Sequence, residues 1–201
     1  MKRTALLLID LQRDFLETTG RLRVAEEDAR RVIKAANDLL NHAPTAGWKV
    51  IFVINQFRKN DWIGNFFRNQ AAIEGSRGGE IDPRIGVPTG VPIFHKDRMD
   101  AFSNAGLVEA IRSGGIEELI MLGLMADACV RASTKSAMRA GLRVTVVSDG
   151  VACERQSAYQ PSLRKLQKLG ASLADSRNLI RSTVSMPAAA DPGIEKAGFP
   201  A

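Results

Sequence analysis

Short apolar runs alternate with longer amphipathic stretches along most of this chain. The runs predict strands at residues 4–9, 49–54, 91–95, 118–122 and 143–148, with a weaker one at 171–174. Between them, apolar positions recur at three- and four-residue intervals, which predicts helices at 26–42, 103–113, 127–140 and 162–169. Strands that alternate with helices indicate parallel βαβ units, so the sequence predicts an α/β fold whose mostly parallel sheet carries helices on both faces.

Two stretches interrupt this alternation. Residues 56–90 show no clear strand and are rich in Gly, Asn, Arg and aromatic residues, which is typical of a binding loop or lid. Residues 185–201 are rich in Ala, Pro and Gly without periodicity. We therefore expect one domain over residues 1–184, followed by a flexible tail that is mobile or reaches a neighbouring subunit.

The composition agrees with one globular domain, but the net positive charge raises the question of a nucleic-acid partner. The chain has 201 residues and a formal net charge of +6. The basic residues are scattered at helical spacing among acidic and apolar ones, and aromatic residues that could stack on bases are few. We interpret this charge as solvated helix faces and expect no nucleic-acid partner.

Cysteine content and hydropathy bear on location. Two cysteines, Cys129 and Cys153, are too few for a disulfide framework in a chain of this length. The first apolar run is too short for a signal sequence, and no run approaches the length that spans a membrane. We expect a cytoplasmic protein with no membrane partner, in which Cys153 is structural.

Three apolar runs are each followed by one ionisable residue. These residues are Asp10, Lys96 and, after a turn at Gly123, Cys129. Because parallel strands end at one edge of their sheet, we expect these three side chains to converge. Cys129 also lies at the amino end of a predicted helix, and both the helix N terminus and a nearby ammonium favour a thiolate. A small buried cysteine beside an ordinary Asp–Lys ion pair is the alternative interpretation.

The same segments resemble the isochorismatase-like cysteine hydrolase superfamily over roughly residues 4–180. The resemblance rests on Leu8-Ile-Asp10-Leu-Gln-Arg-Asp14-Phe15, on Lys96 followed by Asp100-Ala-Phe102-Ser-Asn, and on Gly123-Leu-Met-Ala-Asp127-Ala-Cys129-Val. It implies a three-layer, Rossmann-like α/β/α sandwich with a six-stranded sheet. It also implies a triad in which Cys129 is the nucleophile, Asp10 the base and Lys96 the cation that organises both.

The resemblance further implies a cis peptide between Leu124 and Met125 and an oxyanion hole formed by the backbone N–H groups of Met125 and Cys129.

Nicotinamidases of this superfamily carry a histidine-rich metal site after the second strand, but residues 55–62 contain no histidine. We therefore expect no metal and no cofactor. The vinyl-ether hydrolases of the superfamily lack the cysteine, so Cys129 favours cleavage of a carbon–nitrogen bond.

The expected activity is hydrolysis of a small amide, ureide or carbamoyl substrate through an acyl-cysteine. Hydrolysis of another bond (ester, thioester or vinyl ether) and a non-catalytic binding or assembly protein on the same fold remain alternatives. We also expect a homo-oligomer, either a dimer or a tetramer.

Several residues are candidates for binding the substrate. The aromatic candidates for the pocket are Phe15, Trp62, Phe66, Phe67 and Phe102. The candidates for binding a substrate carboxylate are Arg58, Arg68, Arg84 and Arg98.

Overall fold

A computed structural model describes residues 3–184, apart from the side chains of Phe67 and Val184. The predicted tail at 185–201 lies outside the described residues. The strands are β1 (Thr4–Ile9), β2 (Lys49–Asn55), β3 (Ile93–Lys96), β4 (Glu118–Leu124), β5 (Arg143–Ala152) and β6 (Ser172–Ala174). They form one six-stranded sheet in the order β3-β2-β1-β4-β5-β6, and every neighbouring pair is parallel.

Helices cover both faces of this sheet. They are α1 (Arg13–Leu16), α2 (Glu26–His42), α3 (Trp62–Phe67), α4 (Ala105–Ser113), α5 (Cys129–Arg139), α6 (Tyr159–Lys168) and α7 (Ser176–Val184). One buried cluster joins the sheet to α2, and a second joins its other face to α4, α5 and α6. The predicted three-layer α/β/α fold is therefore confirmed.

The central strand β1 shows why its sequence is apolar at consecutive positions. Leu6 and Leu8 belong to one core cluster, whereas Leu7 and Ile9 belong to the cluster on the opposite face. All four side chains are fully buried. A strand covered by helices on both faces has no solvent-facing side, so its run of apolar residues is continuous.

Most predicted elements are present, with ends that differ by a few residues. Helix α2 has the predicted bounds, and β2 and β4 are longer than predicted. Helices α1, α3 and α7 were not predicted from the sequence. Residues 56–90, predicted to be irregular, contain α3 and a 3₁₀ turn at Arg77–Gly79, and the structure assigns no strand to them. Among residues 3–184, no helix has both the length and the hydrophobicity needed to cross a bilayer.

Strand β5 contains an irregularity that helps to position the turn before α5. Its register against β4 shifts beside Gly123. The Arg31 guanidinium holds this bulge through Nη1, which donates to Val151 O at 3.1 Å. The next carbonyl, that of Ala152, accepts a hydrogen bond of 2.8 Å from Ala126 N. The bulge therefore ends at a fixed contact with the turn that leads into Cys129.

Candidate active site

Four buried polar side chains meet at the carboxyl edge of the sheet. Asp10 follows β1, Asn55 ends β2, Lys96 ends β3, and Cys129 begins α5 after β4. Their exposed fractions are 1%, 2%, 4% and 8%, respectively. Three of them are the residues that the sequence analysis expected to converge, and the parallel strands bring them together from distant parts of the chain.

The Lys96 ammonium is at the centre of this group. Its Nζ donates to Asp10 Oδ2 at 2.8 Å and to Asn55 Oδ1 at 2.7 Å. It also lies 3.4 Å from Cys129 Sγ. An ammonium has three hydrogens to donate, so Lys96 has one for each of these three groups.

Asn55 is the member of the group that sequence reasoning missed. Its Nδ2 lies 3.9 Å from Cys129 Sγ, so the amide contacts both the ammonium and the thiol. The Gln12 side chain holds the backbone of Asn55 through two hydrogen bonds. Asn55 N donates to Gln12 Oε1 at 2.9 Å, and Gln12 Nε2 donates to Asn55 O at 2.8 Å. A polar residue at the end of an apolar strand was the available signal, the same one that identified Lys96.

Asp10 presents one carboxylate oxygen that is not engaged. Its Oδ2 is bound to Lys96, whereas Oδ1 is buried without a hydrogen-bond partner among the described residues. Its backbone is in the left-handed region, with φ at 56°, and its N–H donates to Val53 O at 2.8 Å. Burial raises the pKa of Asp10, and the Lys96 charge opposes that rise. A carboxylate with an unengaged oxygen beside a thiol is suited to accept a proton.

The Cys129 thiol keeps its proton in the resting site. Burial, followed by the negative charge of Asp10, raises its pKa to about 12, although Lys96 acts to lower it. The Lys96 ammonium thus acts in the direction that the sequence predicted, but burial of the thiol opposes it. Desolvation of the anion outweighs the effect of the ammonium in so enclosed a position. The thiol needs a base at the moment of attack.

The groups around Lys96 favour its protonated, positively charged form. Burial acts to lower the pKa of the ammonium, but Asp10 and Cys129 outweigh it, and the pKa of Lys96 is raised. The buried site therefore holds a protonated Lys96. This fixed positive charge is available to balance a negative charge on either neighbour.

The turn before α5 offers two unengaged backbone donors. The Leu124–Met125 peptide is cis. Ala128 N and Val130 N both donate to Met125 O, at 3.0 and 3.1 Å. Within the described part of the chain, the N–H groups of Met125 and Cys129 donate to no other group. Two such donors beside a nucleophile are what a developing oxyanion requires.

Residues just after β1 attach the segment 56–90 to this edge. Gln12 Nε2 donates to Gly79 O at 2.7 Å, in addition to its bond with β2. The buried Asp14 carboxylate accepts a 2.8 Å hydrogen bond from Ala72 N. The segment is thereby held beside the four polar side chains.

A cavity of about 400 Å³ lies beside Lys96, where β2 and β3 end. Its lining is mostly polar and includes Arg58, Glu74, His95 and Asn104. Arg58 is exposed, and its Nε is 3.9 Å from Asp97 Oδ2, too far for a hydrogen bond. A guanidinium in this position is available to a polar substrate group.

The aromatic candidates with described side chains do not line that cavity. Phe15 is buried in the core cluster that contains Met125, and Phe102 is half-buried against the opposite cluster. Trp62 and Phe66 lie on α3, with 74% and 76% of their surface exposed. The side chain of Phe67 is outside the described part of the structure. Among the candidates with described side chains, Arg58 is thus the one on the cavity wall.

The other arginine candidates have different surroundings. Arg84 Nη2 pairs with Asp82 Oδ2 at 2.7 Å, and Arg68 lies over the Phe57 ring with its guanidinium carbon 3.9 Å from the centroid. Arg98 is exposed and does not line the cavity beside Lys96. Arg84 and Arg68 therefore have structural partners, and of the four arginine candidates Arg58 is the one that lines the cavity with Lys96.

The second thiol is separate from this chemistry. Cys153 is buried, and its Sγ donates to Ser162 Oγ at 3.6 Å. Burial raises its pKa. Both cysteines are free. Among residues 3–184, no group of three or more His, Cys, Asp or Glu side chains is placed to hold a metal ion.

Comparisons with known proteins agree with this architecture. The chain matches the Isochorismatase domain family over residues 4–178. It is 28% identical to the nicotinamidase of Escherichia coli (strain K12) over 73% of this chain and 81% of that protein. It is 26% identical to the ureidoacrylate amidohydrolase of Caulobacter segnis over 74% of this chain and 72% of the relative. N-carbamoylsarcosine amidase from Thermoplasma acidophilum superposes with a TM-score of 0.75 at 24% identity, covering 87% of this chain and 96% of that one. The chain therefore belongs to the isochorismatase family of hydrolases.

Proposed function

We propose that this protein is a cysteine hydrolase that cleaves a carbon–nitrogen bond of a small amide, ureide or carbamoyl compound. The observation that carries the proposal is the position of the Lys96 ammonium, 2.8 Å from the Asp10 carboxylate and 3.4 Å from the Cys129 thiol. A nucleophile, a base and a fixed cation are thus in contact in a buried site. The names of the amide-cleaving relatives support the same reaction class.

The first step in this proposal is attack of Cys129 on the substrate carbonyl. Asp10 Oδ1 takes the thiol proton as Sγ forms its bond to the carbonyl carbon, because the thiol is protonated at rest. The carbonyl π electrons move to oxygen. The N–H groups of Met125 and Cys129 receive this oxyanion, and Lys96 balances the charge that forms on the sulfur.

Collapse of this intermediate expels the nitrogen. Asp10 returns the proton to the leaving amine or ammonia as the C–N bond breaks, leaving an acyl group on Cys129. Water then adds to the acyl carbon while Asp10 accepts its proton. The S–C bond breaks, the thiol recovers a proton, and the acid product leaves.

The cavity beside Lys96 favours a small and polar substrate. Its volume of about 400 Å³ falls in the range of small-molecule sites. Arg58 on its wall suits a substrate carboxylate or carbonyl oxygen, and the exposed aromatic residues of α3 lie outside it. We therefore assign the polar end of the substrate to this cavity and its scissile carbonyl to the thiol.

A panel of primary amides, ureides and carbamoyl amino acids tests the proposal, with matched esters beside each amide. We expect release of ammonia or amine and, in rapid-quench samples, a mass increase on Cys129 equal to the acyl group. Cys129→Ala is expected to abolish both signals, whereas Cys153→Ala keeps them. Turnover of esters with no amide turnover, or amide turnover that survives Cys129→Ala, would contradict the assignment.

A further inference from the structure

A second cavity, of about 450 Å³, lies over α5 and α6, and its lining does not include Asp10, Lys96 or Cys129. Its apolar lining consists of Met99, Ala128, Ala132 and Leu169. The two alanines leave the surface of α5 recessed at this point, and Met99 is 64% exposed. The cavity is thus an open recess with an apolar floor.

Four basic side chains line the same cavity. Arg131 and Lys135 are four residues apart on α5, and Lys165 and Lys168 are three residues apart on α6. Side chains at these spacings are neighbours on a helix surface, and like charges there oppose folding. The sequence predicted solvated helix faces for such residues, but the fold brings these four to one recess.

No carboxylate in the described part of the chain forms an ion pair with any of the four. Arg131 Nε donates only to a backbone carbonyl, that of Asp127, at 3.0 Å. Elsewhere, basic residues such as Arg13, Arg31 and Arg84 each have an acidic partner. The recess therefore concentrates positive charge that the described residues do not neutralise.

The amino end of α5 adds to this positive potential. Ala128 lines the recess and is the N-cap residue of α5, a helix of eleven residues. No side chain caps this end of the helix. The N-terminal end of a helix dipole attracts anions, whereas Leu169 on the opposite wall is the C-cap residue of α6, whose dipole end is negative. The two helix ends therefore oppose each other, and the four basic side chains decide the sign of the charge in the recess.

We propose that this recess is a second binding site, separate from the triad, for a small organic anion that carries two or more negative charges on an apolar body. The four cations match the charge, and the floor of Met99, Ala128, Ala132 and Leu169 matches the apolar part. The volume suits a small molecule. Phosphate and carboxylate groups share this chemistry, and the two sources are separated by experiment.

Isothermal titration calorimetry at low and moderate salt tests the site, with ATP as the phosphate probe and citrate as the carboxylate probe. The test variant is Lys135→Gln/Lys168→Gln. The matched control is Lys34→Gln/Lys49→Gln, which removes the same charge from residues that do not line the recess. We expect binding of at least one probe, with an affinity lowered about tenfold or more in the test variant and little changed in the control. Binding of one probe alone identifies the favoured anion.

Three results would overturn the proposal. One is the absence of binding by both probes at low salt. Another is an equal loss of affinity in the test and control variants, since that indicates a response to net charge alone. The third is binding of a single-stranded DNA 20-mer that the test variant loses, with neither small anion bound, because the recess would then serve a nucleic acid.

Discussion

Lys96 Nζ donates to Asn55 Oδ1 at 2.7 Å, slightly shorter than its 2.8 Å contact with the Asp10 carboxylate. A neutral amide thus shares the ammonium with the base. Because Asn55 is held by Gln12 on its backbone, its amide is fixed relative to β1 and β2. Asn55 is therefore a positioning residue for Lys96 in the proposed mechanism, and the ammonium is oriented from two sides.

Asn55→Ala should lower kcat with little change in the fold. A hydrogen bond to a charged group contributes about 1.5–3 kcal/mol, which corresponds to roughly a 10- to 100-fold loss of rate. The variant should also change the pH dependence of Cys129 alkylation, because the ammonium that lowers the thiol pKa is less well held. Circular dichroism checks the fold. Loss of kcat with an unchanged alkylation profile would point to a merely structural role.

Asp10→Asn should separate thiol reactivity from turnover. The negative charge of Asp10 raises the pKa of Cys129, so its removal should lower that pKa and speed alkylation by iodoacetamide at pH 9. Hydrolysis should nevertheless fall by about 10²–10⁴, the usual contribution of a general base. The measurements belong in a Cys153→Ala background so that one thiol reports.

Lys96→Met should move alkylation in the opposite direction. Lys96 lowers the pKa of Cys129, and its loss leaves the buried thiol beside the Asp10 charge alone. Alkylation should therefore slow while turnover is also lost. If the Asp10 and Lys96 variants shifted the alkylation rate in the same direction, the two side chains would not exert opposite effects on the thiol.

The convergence of Asp10, Lys96 and Cys129 could be predicted because each follows an apolar run, and parallel strands share an edge. Helix α2 was predictable for a similar reason, since its seven buried residues repeat at helical spacing. The role of Asn55 was not, because it depends on distances across two strands. The raised pKa of Cys129 could not be predicted, because burial of that thiol is a property of the assembled fold. The cytoplasmic location and the dimer or tetramer stay predictions.

Stability should fall with rising pH in the alkaline range. Cys129 has a pKa of about 12 when folded and 9.0 as an ordinary thiol. Between these values the unfolded chain loses a proton that the folded chain keeps, so the free energy of unfolding decreases by up to about 1.4 kcal/mol per pH unit. Urea unfolding at pH 8, 9 and 10 measures this slope. Cys129→Ala should reduce this slope, although Cys153, whose pKa is also raised by burial, still contributes to it. An unchanged slope in that variant would contradict the raised pKa of Cys129.

Metal removal should leave activity intact. The residues from 55 to 58 are Asn, Gln, Phe and Arg, which include no thiolate or imidazole, and Asn55 is already bound to Lys96. Exhaustive chelation followed by assay on an accepted amide measures the dependence. Activity that disappears and returns with added Zn²⁺ or Mn²⁺ would show that a metal takes part.

Gly123 should tolerate alanine far less well than Gly141 does, although both have positive φ, 132° and 81°. A Cβ on Gly141 would have no atom within 4 Å, so Gly141→Ala is expected to cost only the backbone strain, about 1–2 kcal/mol. A Cβ on Gly123 would lie 1.9 Å from Ile9 O, in the strand that leads into Asp10. Relief of that clash requires β1 and β4 to separate beside the triad. Gly123→Ala should therefore show a much lower Tm or no soluble protein, and equal Tm values for the two variants would mean that this close approach is absent.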